Sequence, residues 1–284
     1  MSFKTLVSTE ELNKHLDDPD WVVFDCRFTL TDPKAGRTAY DLNHIPGARY
    51  AHLDDDLAAP VGADTGRHPL PDPQRLIDKL GKWGVDRGKQ VVVYDDTFGA
   101  MAVRMWWLLK WLGHENVALL DGVLPKWIRE KRPLTDELPD ITPTTFTAQI
   151  NEDMWVSAED LQLALDKEEV VLLDARAEER YSGEVEPLDK VAGHVPGAIN
   201  LPWEDNLDLG GNLLSPEELR ELYQEKIGEK SASQVINMCG SGVTACHNIL
   251  AMEHAGLTGT RLYAGSWSEW ITDGSRPVAT GENP

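Results

Sequence analysis

A lone cysteine, Cys239, lies where the sequence changes from a short apolar run to a run of small residues. The apolar run is typical of a buried strand, and the apolar residues beyond Thr244 have helical spacing. A thiol in such a connection lies beside loop N–H groups and a helix N-terminus, and both favour a negative charge. The pattern therefore predicts a nucleophilic thiolate, and the alternative is a buried structural cysteine.

The residues after the cysteine are suited to surround an anion. Two glycines allow the backbone to curl tightly around the sulfur. Ser241, two residues after the thiol, is placed to hydrogen-bond the sulfur or to relay a proton, although it could also be a simple turn serine. We expect binding contacts from the rest of this loop: Gly240, Gly242, Val243 and Thr244.

Composition restricts the partners that the chain can have. The 284 residues carry a formal net charge of −21, which argues against binding to nucleic acid or to an anionic membrane surface. An anionic substrate would therefore need a local cationic pocket. Three cysteines give no disulfide framework and indicate a reducing compartment. With no apolar run long enough for a signal peptide or a membrane span, we expect a cytoplasmic protein.

The chain contains two copies of one pattern, about 150 residues apart. A period of this length is too long for a solenoid and indicates two related domains. We expect domains at 1–135 and 152–284, joined by a linker at 136–151 that contains two prolines. The matching segments are 7–12 with 156–161, 25–27 with 174–176, and 44–48 with 194–198.

Each copy has the alternation of strands and helices expected of an α/β domain. Short apolar runs at 21–24, 90–94, 170–173 and 234–238 suit strands that are buried on both faces. Ser8, Ser157, Asp72 and Ser215 have the pattern of helix N-caps. We predict a mainly parallel sheet with helices on both faces in each domain.

Only the second copy carries a nucleophile. Ligands of parallel sheets bind outside the C-terminal ends of the strands, which is where Cys239 falls. The repeat places Asp95 at the equivalent position of the first copy, and an aspartate cannot perform thiol chemistry. We therefore expect the N-terminal domain to be a non-catalytic scaffold.

Taken together, these motifs resemble the tandem-domain rhodanese-type sulfurtransferases over nearly the whole chain. The motifs that carry the resemblance are Cys-Gly-Ser-Gly-Val-Thr-Ala at 239–245, Asp-x-Arg at 25–27 and 174–176, His-Ile/Val-Pro-Gly-Ala at 44–48 and 194–198, and Tyr-Ala-Gly-Ser-Trp at 263–267. The cysteine loop is similar to the version that uses 3-mercaptopyruvate. The thiosulfate version usually has charged residues at its second and third positions.

The resemblance implies sulfane transfer without a metal or cofactor. Cys239 would take sulfur from a small anionic donor as a persulfide and pass it to cyanide or to a thiol acceptor, such as a thioredoxin-like protein. The alternative from another class is a catalytically silent sulfur-sensing or interaction module. A cysteine phosphatase is disfavoured, because those enzymes place an arginine six residues after the cysteine, where this chain has Ala245.

The resemblance also implies further site residues. Asp54 would join Cys239 and Ser241 in a triad-like arrangement, although Asp55 and Asp56 follow it directly. Arg180 would bind the donor's carboxylate, which suits a planar guanidinium.

His68 would contact substrate, and the second arginine expected of mercaptopyruvate enzymes is replaced by Leu188. Lys190 is the candidate substitute, as a point charge with poorer geometry. This departure leaves thiosulfate open as the donor. Arg27 and Arg176 follow buried strands, so we expect them to form internal ion pairs.

Overall fold

The computed structural model describes residues 2–284 and divides them into two units. The first unit consists of residues 2–59, Leu70–Asn151 and Gly210–Asn212. The second unit consists of Pro60–Pro69, Glu152–Leu209 and Leu213–Pro284. Each unit thus includes a short segment from the other repeat, and the sequence-based limits of the domains and linker stay a proposal.

The first unit contains a parallel sheet with strand order β1-β5-β4-β2-β3. Its strands are β1 (Leu6–Val7), β2 (Trp21–Asp25), β3 (Arg49–Tyr50), β4 (Gln90–Tyr94) and β5 (Val117–Leu120). Its helices are α1 (Thr9–Lys14), α2 (Ala35–Leu42), α3 (Leu53–Asp56), α4 (Pro73–Lys82), α5 (Ala102–Trp111) and α6 (Val123–Arg129).

The second unit repeats this topology, with the order β6-β10-β9-β7-β8. Its strands are β6 (Trp155–Val156), β7 (Val171–Asp174), β8 (Ala198–Asn200), β9 (Val235–Met238) and β10 (Arg261–Tyr263). Its helices are α7 (Ala158–Asp166), α8 (Glu178–Ser182), α9 (Pro216–Ile227), α10 (Ala245–His254) and α11 (Ser266–Trp270), with 3-10 turns at Glu152–Met154, Trp203–Asn206 and Ala232–Gln234.

The α/β prediction is confirmed. The second sheet is covered on both faces, because neighbouring residues of β9 point into different apolar clusters. Ile236 and Met238 pack with residues of α7 and α11, whereas Val235 packs with residues of α9 and α10. The central strands are therefore buried on both sides, which explains their continuous apolar sequences.

Helix starts follow the sequence signals. The side chains of Ser8, Ser157, Asp72 and Ser215 each accept a hydrogen bond from a backbone N–H three residues later. At Ser215 the bond is reciprocal, because the Glu218 carboxylate accepts from the Ser215 N–H at 2.9 Å.

The Asp-x-Arg motifs form buried ion pairs at matching places, as predicted. Arg27 Nη2 lies 2.7 Å from Asp25 Oδ2, and Arg176 Nη2 lies 2.6 Å from Asp174 Oδ2. Each guanidinium also donates to a backbone carbonyl just before the His-x-Pro-Gly-Ala turn, at 2.6 Å for Arg27 and 2.8 Å for Arg176. The pairs thereby connect the end of one strand to the turn that leads into the next.

The turn after β4 binds a carboxylate of its own chain. Asp95 is fully buried, and its two oxygens accept four backbone N–H groups at 2.8–2.9 Å. Burial raises the pKa of Asp95, and these four hydrogen bonds oppose the rise. The donors belong to the four residues Thr97, Gly99, Met101 and Ala102. This turn is therefore a main-chain cradle for a negative charge.

Replacing Asp95 with alanine should lower the free energy of unfolding by about 3 kcal/mol, because buried N–H groups then lose their acceptor. Urea denaturation of the whole chain measures the change. Asp96→Ala is the matched control, since Asp96 is exposed, and it should change the value by less than about 1 kcal/mol. Equal stability of the two variants would show that the cradle contributes nothing.

Candidate active site

Cys239 lies directly after β9, at the C-terminal edge of the second sheet, and is 2% exposed. The N–H of Gly242 donates a hydrogen bond to its Sγ at 3.2 Å. The start of α11 fixes the loop from the other side, because Trp267 N–H donates to the Cys239 carbonyl at 3.0 Å and Ser268 N–H to the Gly240 carbonyl at 2.9 Å. Main-chain contacts thus hold the sulfur and its loop in place.

Gly242 is required by the shape of this loop. Its φ is +75°, a value that favours glycine, and a Cβ built on it would lie 2.2 Å from the Ala264 carbonyl oxygen. A side chain at this position would both strain the backbone and collide with the strand end beside it. The glycine therefore allows the Gly242 N–H to approach the sulfur.

The Cys239 loop resembles the Asp95 cradle at one backbone position, although Gly99 has a φ of +93° and its equivalent Val243 has no positive φ. The third residue after the anionic position has a positive φ in both turns, +57° at Phe98 and +75° at Gly242. In the first unit, the residues two and four positions after Asp95 donate their N–H groups to its carboxylate. The equivalent N–H groups, of Ser241 and Val243, donate to no acceptor within residues 2–284. They are the donors that an anion on the Cys239 sulfur would need.

Ser241 and His68 form a buried pair. Ser241 Oγ and His68 Nδ1 are 2.7 Å apart, and the two residues are 6% and 4% exposed. His68 belongs to the second unit through the segment Pro60–Pro69. The sequence analysis selected both residues separately, and the structure brings them together beside the cysteine loop.

Two guanidinium groups lie over the loop. A Cβ built on Gly240 would lie 2.8 Å from Arg67 Nη2 and 3.4 Å from Nη1 and Nη2 of Arg180. A Cβ at this position would be in ordinary contact with Arg180 and would displace the flexible end of Arg67, so glycine leaves room for the Arg67 guanidinium beside the residue after the nucleophile. The expected cation Arg180 is thus accompanied by a second one.

Arg67 is the site residue that the sequence analysis missed. The signal was present, because Arg67 directly precedes His68, but the repeat assigned this segment to the first domain. Arg67 forms an ion pair with Asp189, and Arg180 Nη2 lies 3.3 Å from the same carboxylate.

Glu186 holds Arg180 from the other side. Arg180 Nη2 is 2.9 Å from both carboxylate oxygens of Glu186. Burial raises the pKa of Glu186, but hydrogen bonds from Arg180 and from the Leu188 N–H outweigh it and hold the pKa below its usual value. The carboxylate is therefore ionised and fixes the arginine in position.

The sequence analysis also named Leu188, Lys190 and Asp54. Leu188 and Lys190 are exposed. Asp54 lies in the first unit, in the first turn of α3, where its N–H donates to His52 Nδ1 at 3.2 Å. Burial raises the pKa of Asp54. Its membership of a triad with Cys239 and Ser241 stays a prediction.

Comparison with known families shows to which protein family the chain belongs. The model of the rhodanese-like domain matches residues 8–130 and again residues 157–273. The chain belongs to the rhodanese family. Both halves of this rhodanese chain are matched, which confirms the predicted tandem repeat.

Named relatives of this chain are sulfurtransferases. A probable 3-mercaptopyruvate sulfurtransferase of Pseudomonas aeruginosa is 48% identical, covering 99% of this chain and all of the relative. Human 3-mercaptopyruvate sulfurtransferase is 37% identical, covering 84% of this chain and 81% of the relative. Mouse thiosulfate sulfurtransferase is 33% identical, with coverage of 95% and 92%.

A solved structure shows the same fold. The 3-mercaptopyruvate sulfotransferase SseA of Escherichia coli superposes with a TM-score of 0.81 at 30% identity, covering 94% of this chain and all of that one. Within residues 2–284, no helix combines the length and apolar character needed to cross a membrane.

Substituting Gly242 with alanine should lower the free energy of unfolding by about 2 kcal/mol or more, because the backbone is strained and the new methyl collides with Ala264. The measurement is chemical denaturation of the full chain. Gly274→Ala is the control, since nothing lies within 4 Å of a Cβ built there. If the two variants were equally stable, the loop would not require glycine at 242.

Proposed function

We propose that this protein transfers a sulfane sulfur from 3-mercaptopyruvate to a thiol or cyanide acceptor through a persulfide on Cys239. The observation that carries the proposal is the likeness of the two turns. One turn binds the carboxylate of Asp95 through main-chain N–H groups. The other directs the Gly242 N–H at the Cys239 sulfur, and the N–H groups of Ser241 and Val243, at the positions of two Asp95 donors, have no acceptor within residues 2–284. A persulfide anion on Cys239 would extend into the place that the carboxylate oxygens take in the first unit.

In the first half-reaction, the Cys239 thiolate attacks the donor sulfur. A sulfur–sulfur bond forms as the carbon–sulfur bond breaks, and its electron pair leaves with the three-carbon fragment as the enolate of pyruvate. The proton of the donor thiol ends on carbon 3 of pyruvate. The products are pyruvate and a persulfide whose outer sulfur carries the negative charge, which the loop N–H groups stabilise.

The donor's carboxylate would bind to the guanidinium groups of Arg67 and Arg180. Both groups lie over Gly240, next to the nucleophile, so the donor sulfur would be delivered close to Cys239. Mercaptopyruvate enzymes usually have a second arginine where this chain has Leu188. Arg67 would supply that second cation here. Lys190, the candidate from the sequence, is exposed and is the weaker choice.

The pair of Ser241 and His68 would move the proton. The hydroxyl lies two residues after the nucleophile, and the 2.7 Å hydrogen bond connects it to an imidazole that can accept or return a proton. Asp54 would complete the triad that the family resemblance implies. Val243 and Thr244 would contribute main-chain groups.

In the second half-reaction, an acceptor thiolate or cyanide attacks the outer sulfur and restores the Cys239 thiolate. We propose a small thiol or a thioredoxin-like protein as acceptor.

We also propose a cytoplasmic location, since Cys26, Cys239 and Cys246 are all free cysteines.

Thiosulfate is the second candidate donor. Two guanidinium groups close to the nucleophile could hold a sulfonate as well as a carboxylate. The likeness to a mouse thiosulfate sulfurtransferase also supports it.

Incubation with 3-mercaptopyruvate should add about 32 Da, the mass of one sulfur atom, to the intact protein as a persulfide. Mass spectrometry should find no adduct on Cys239→Ser, because the attacking sulfur is absent. Cys26→Ala is the control, since the second repeat has Ala175 at the equivalent position, and it should take up sulfur like the wild type. A wild-type protein that gains no sulfur from either donor would support the silent interaction module instead.

Arg67→Gln and Arg180→Gln should each lower kcat/KM for 3-mercaptopyruvate by about 10- to 100-fold, because each removes a charged hydrogen bond to the carboxylate. Steady-state kinetics measures the effect. Arg129→Gln makes the same charge change at an exposed position of the first unit and should leave kcat/KM within about twofold. If Arg67→Gln behaves like this control, Arg67 does not bind the donor.

A further inference from the structure

We propose that Asp189 selects which anions the active site accepts, because its carboxylate lies between the guanidinium groups of Arg67 and Arg180. The identity of the donor in this inference rests on the proposed function. Asp189 Oδ1 pairs with Arg67 Nη1, and Asp189 Oδ2 lies 3.3 Å from Arg180 Nη2. An internal carboxylate thus bridges the two cations that would hold the donor.

The bridge is a fixed part of the site. The Asp189 side chain is 6% exposed. Its turn is held by Glu186, whose Oε1 accepts the N–H groups of Leu188 at 2.9 Å and of Asp189 at 3.1 Å. Because Glu186 also binds Arg180, the position of the turn and the position of the arginine are set by the same carboxylate. Asp189 is therefore aimed at the arginines by the backbone.

The negative charge of Asp189 lowers the net charge of the arginine cluster. The two guanidinium groups carry two positive charges, and Glu186 and Asp189 carry two negative charges. The neighbouring Arg176 is already paired with Asp174. An incoming anion therefore meets a neutral cluster with one carboxylate in direct competition, and each additional negative charge on the ligand is opposed more strongly in a poorly solvated site.

This arrangement favours a monoanionic carboxylate over a dianion. A carboxylate such as that of 3-mercaptopyruvate brings one charge between the arginines, and thiosulfate brings two. The Asp189 side chain is 6% exposed, and this burial raises its pKa while the charges of Arg67 and Arg180 oppose the rise. Loss of the Asp189 charge should thus increase the affinity for a dianion more than the affinity for a monoanion.

A purely structural bridge would behave differently. If Asp189 only ordered the turn, its loss would weaken or strengthen the binding of all small anions together. The ratio of two dissociation constants separates the two roles, because effects common to both ligands cancel. Pyruvate and sulfate are suitable probes, since one is a monoanionic carboxylate, the other is a dianion, and neither carries sulfur that Cys239 could take.

The experiment is isothermal titration of the full chain with pyruvate and with sulfate at one ionic strength. The variants are Asp189→Asn, which removes the charge at similar size, and Asp189→Ser, which serves if the first variant folds poorly. Asp189→Glu retains the charge at the same position. Glu184→Gln is the matched control, because this exposed side chain lies in the same segment.

In Asp189→Asn, the preference for sulfate over pyruvate should rise by about tenfold relative to the wild type, which corresponds to about 1.4 kcal/mol. Asp189→Glu and Glu184→Gln should leave the ratio within about threefold of the wild type. The proposal would be overturned if the ratio changed by less than about threefold in Asp189→Asn, or if Glu184→Gln changed it as much as Asp189→Asn does. It would also be overturned if neither anion bound to any variant.

This outcome is independent of sulfur transfer. The titration reports on the arginine cluster alone, and the mass measurement on Cys239 reports on the chemistry. A chain that forms the persulfide but shows no shift in the anion ratio would refute only the role of Asp189. A chain that shows the shift but takes up no sulfur would refute the proposed function.

Discussion

The structure depends on one feature, the main-chain N–H groups that point at a side chain in the turn after the central strand of each sheet. In the first unit the charge belongs to the protein, as the buried carboxylate of Asp95 accepts four N–H groups. In the second unit the same turn carries Cys239, whose Sγ accepts from Gly242. Because the N–H groups are fixed by the fold, they need no rearrangement when a charge develops on the sulfur.

The ion pairs and cations around Cys239 are held at fixed places relative to that turn. The buried pair of Asp174 with Arg176 and the half-buried pair of Glu186 with Arg180 fix the neighbouring backbone and one of the cations. The segment Pro60–Pro69 adds Arg67 and His68 to the second unit. The site is therefore built from two distant parts of the sequence, although its central turn comes from a single repeat.

Local features were predictable from the sequence and the assembled cluster was not. The apolar runs predicted β4 at its observed bounds and β9 to within one residue, because buried parallel strands have continuous apolar sequences. The N-caps and the buried Asp-x-Arg pairs were also predicted correctly. The repeat could not reveal that residues 60–69 belong to the second unit. His68 of this segment was named from the family resemblance, whereas Arg67 was missed, and the role of Lys190 stays a prediction. The bridging role of Asp189 depends on distances between side chains, which no spacing pattern encodes.

The most direct test of the central claim is a crystal structure of the protein after reaction with 3-mercaptopyruvate. We expect an outer sulfur on Cys239 that lies close to the N–H groups of Ser241 and Val243, at distances similar to the 3.2 Å between Gly242 N and Sγ. An outer sulfur that points away from the loop, with those N–H groups still unpaired, would show that the main-chain N–H groups do not stabilise the persulfide.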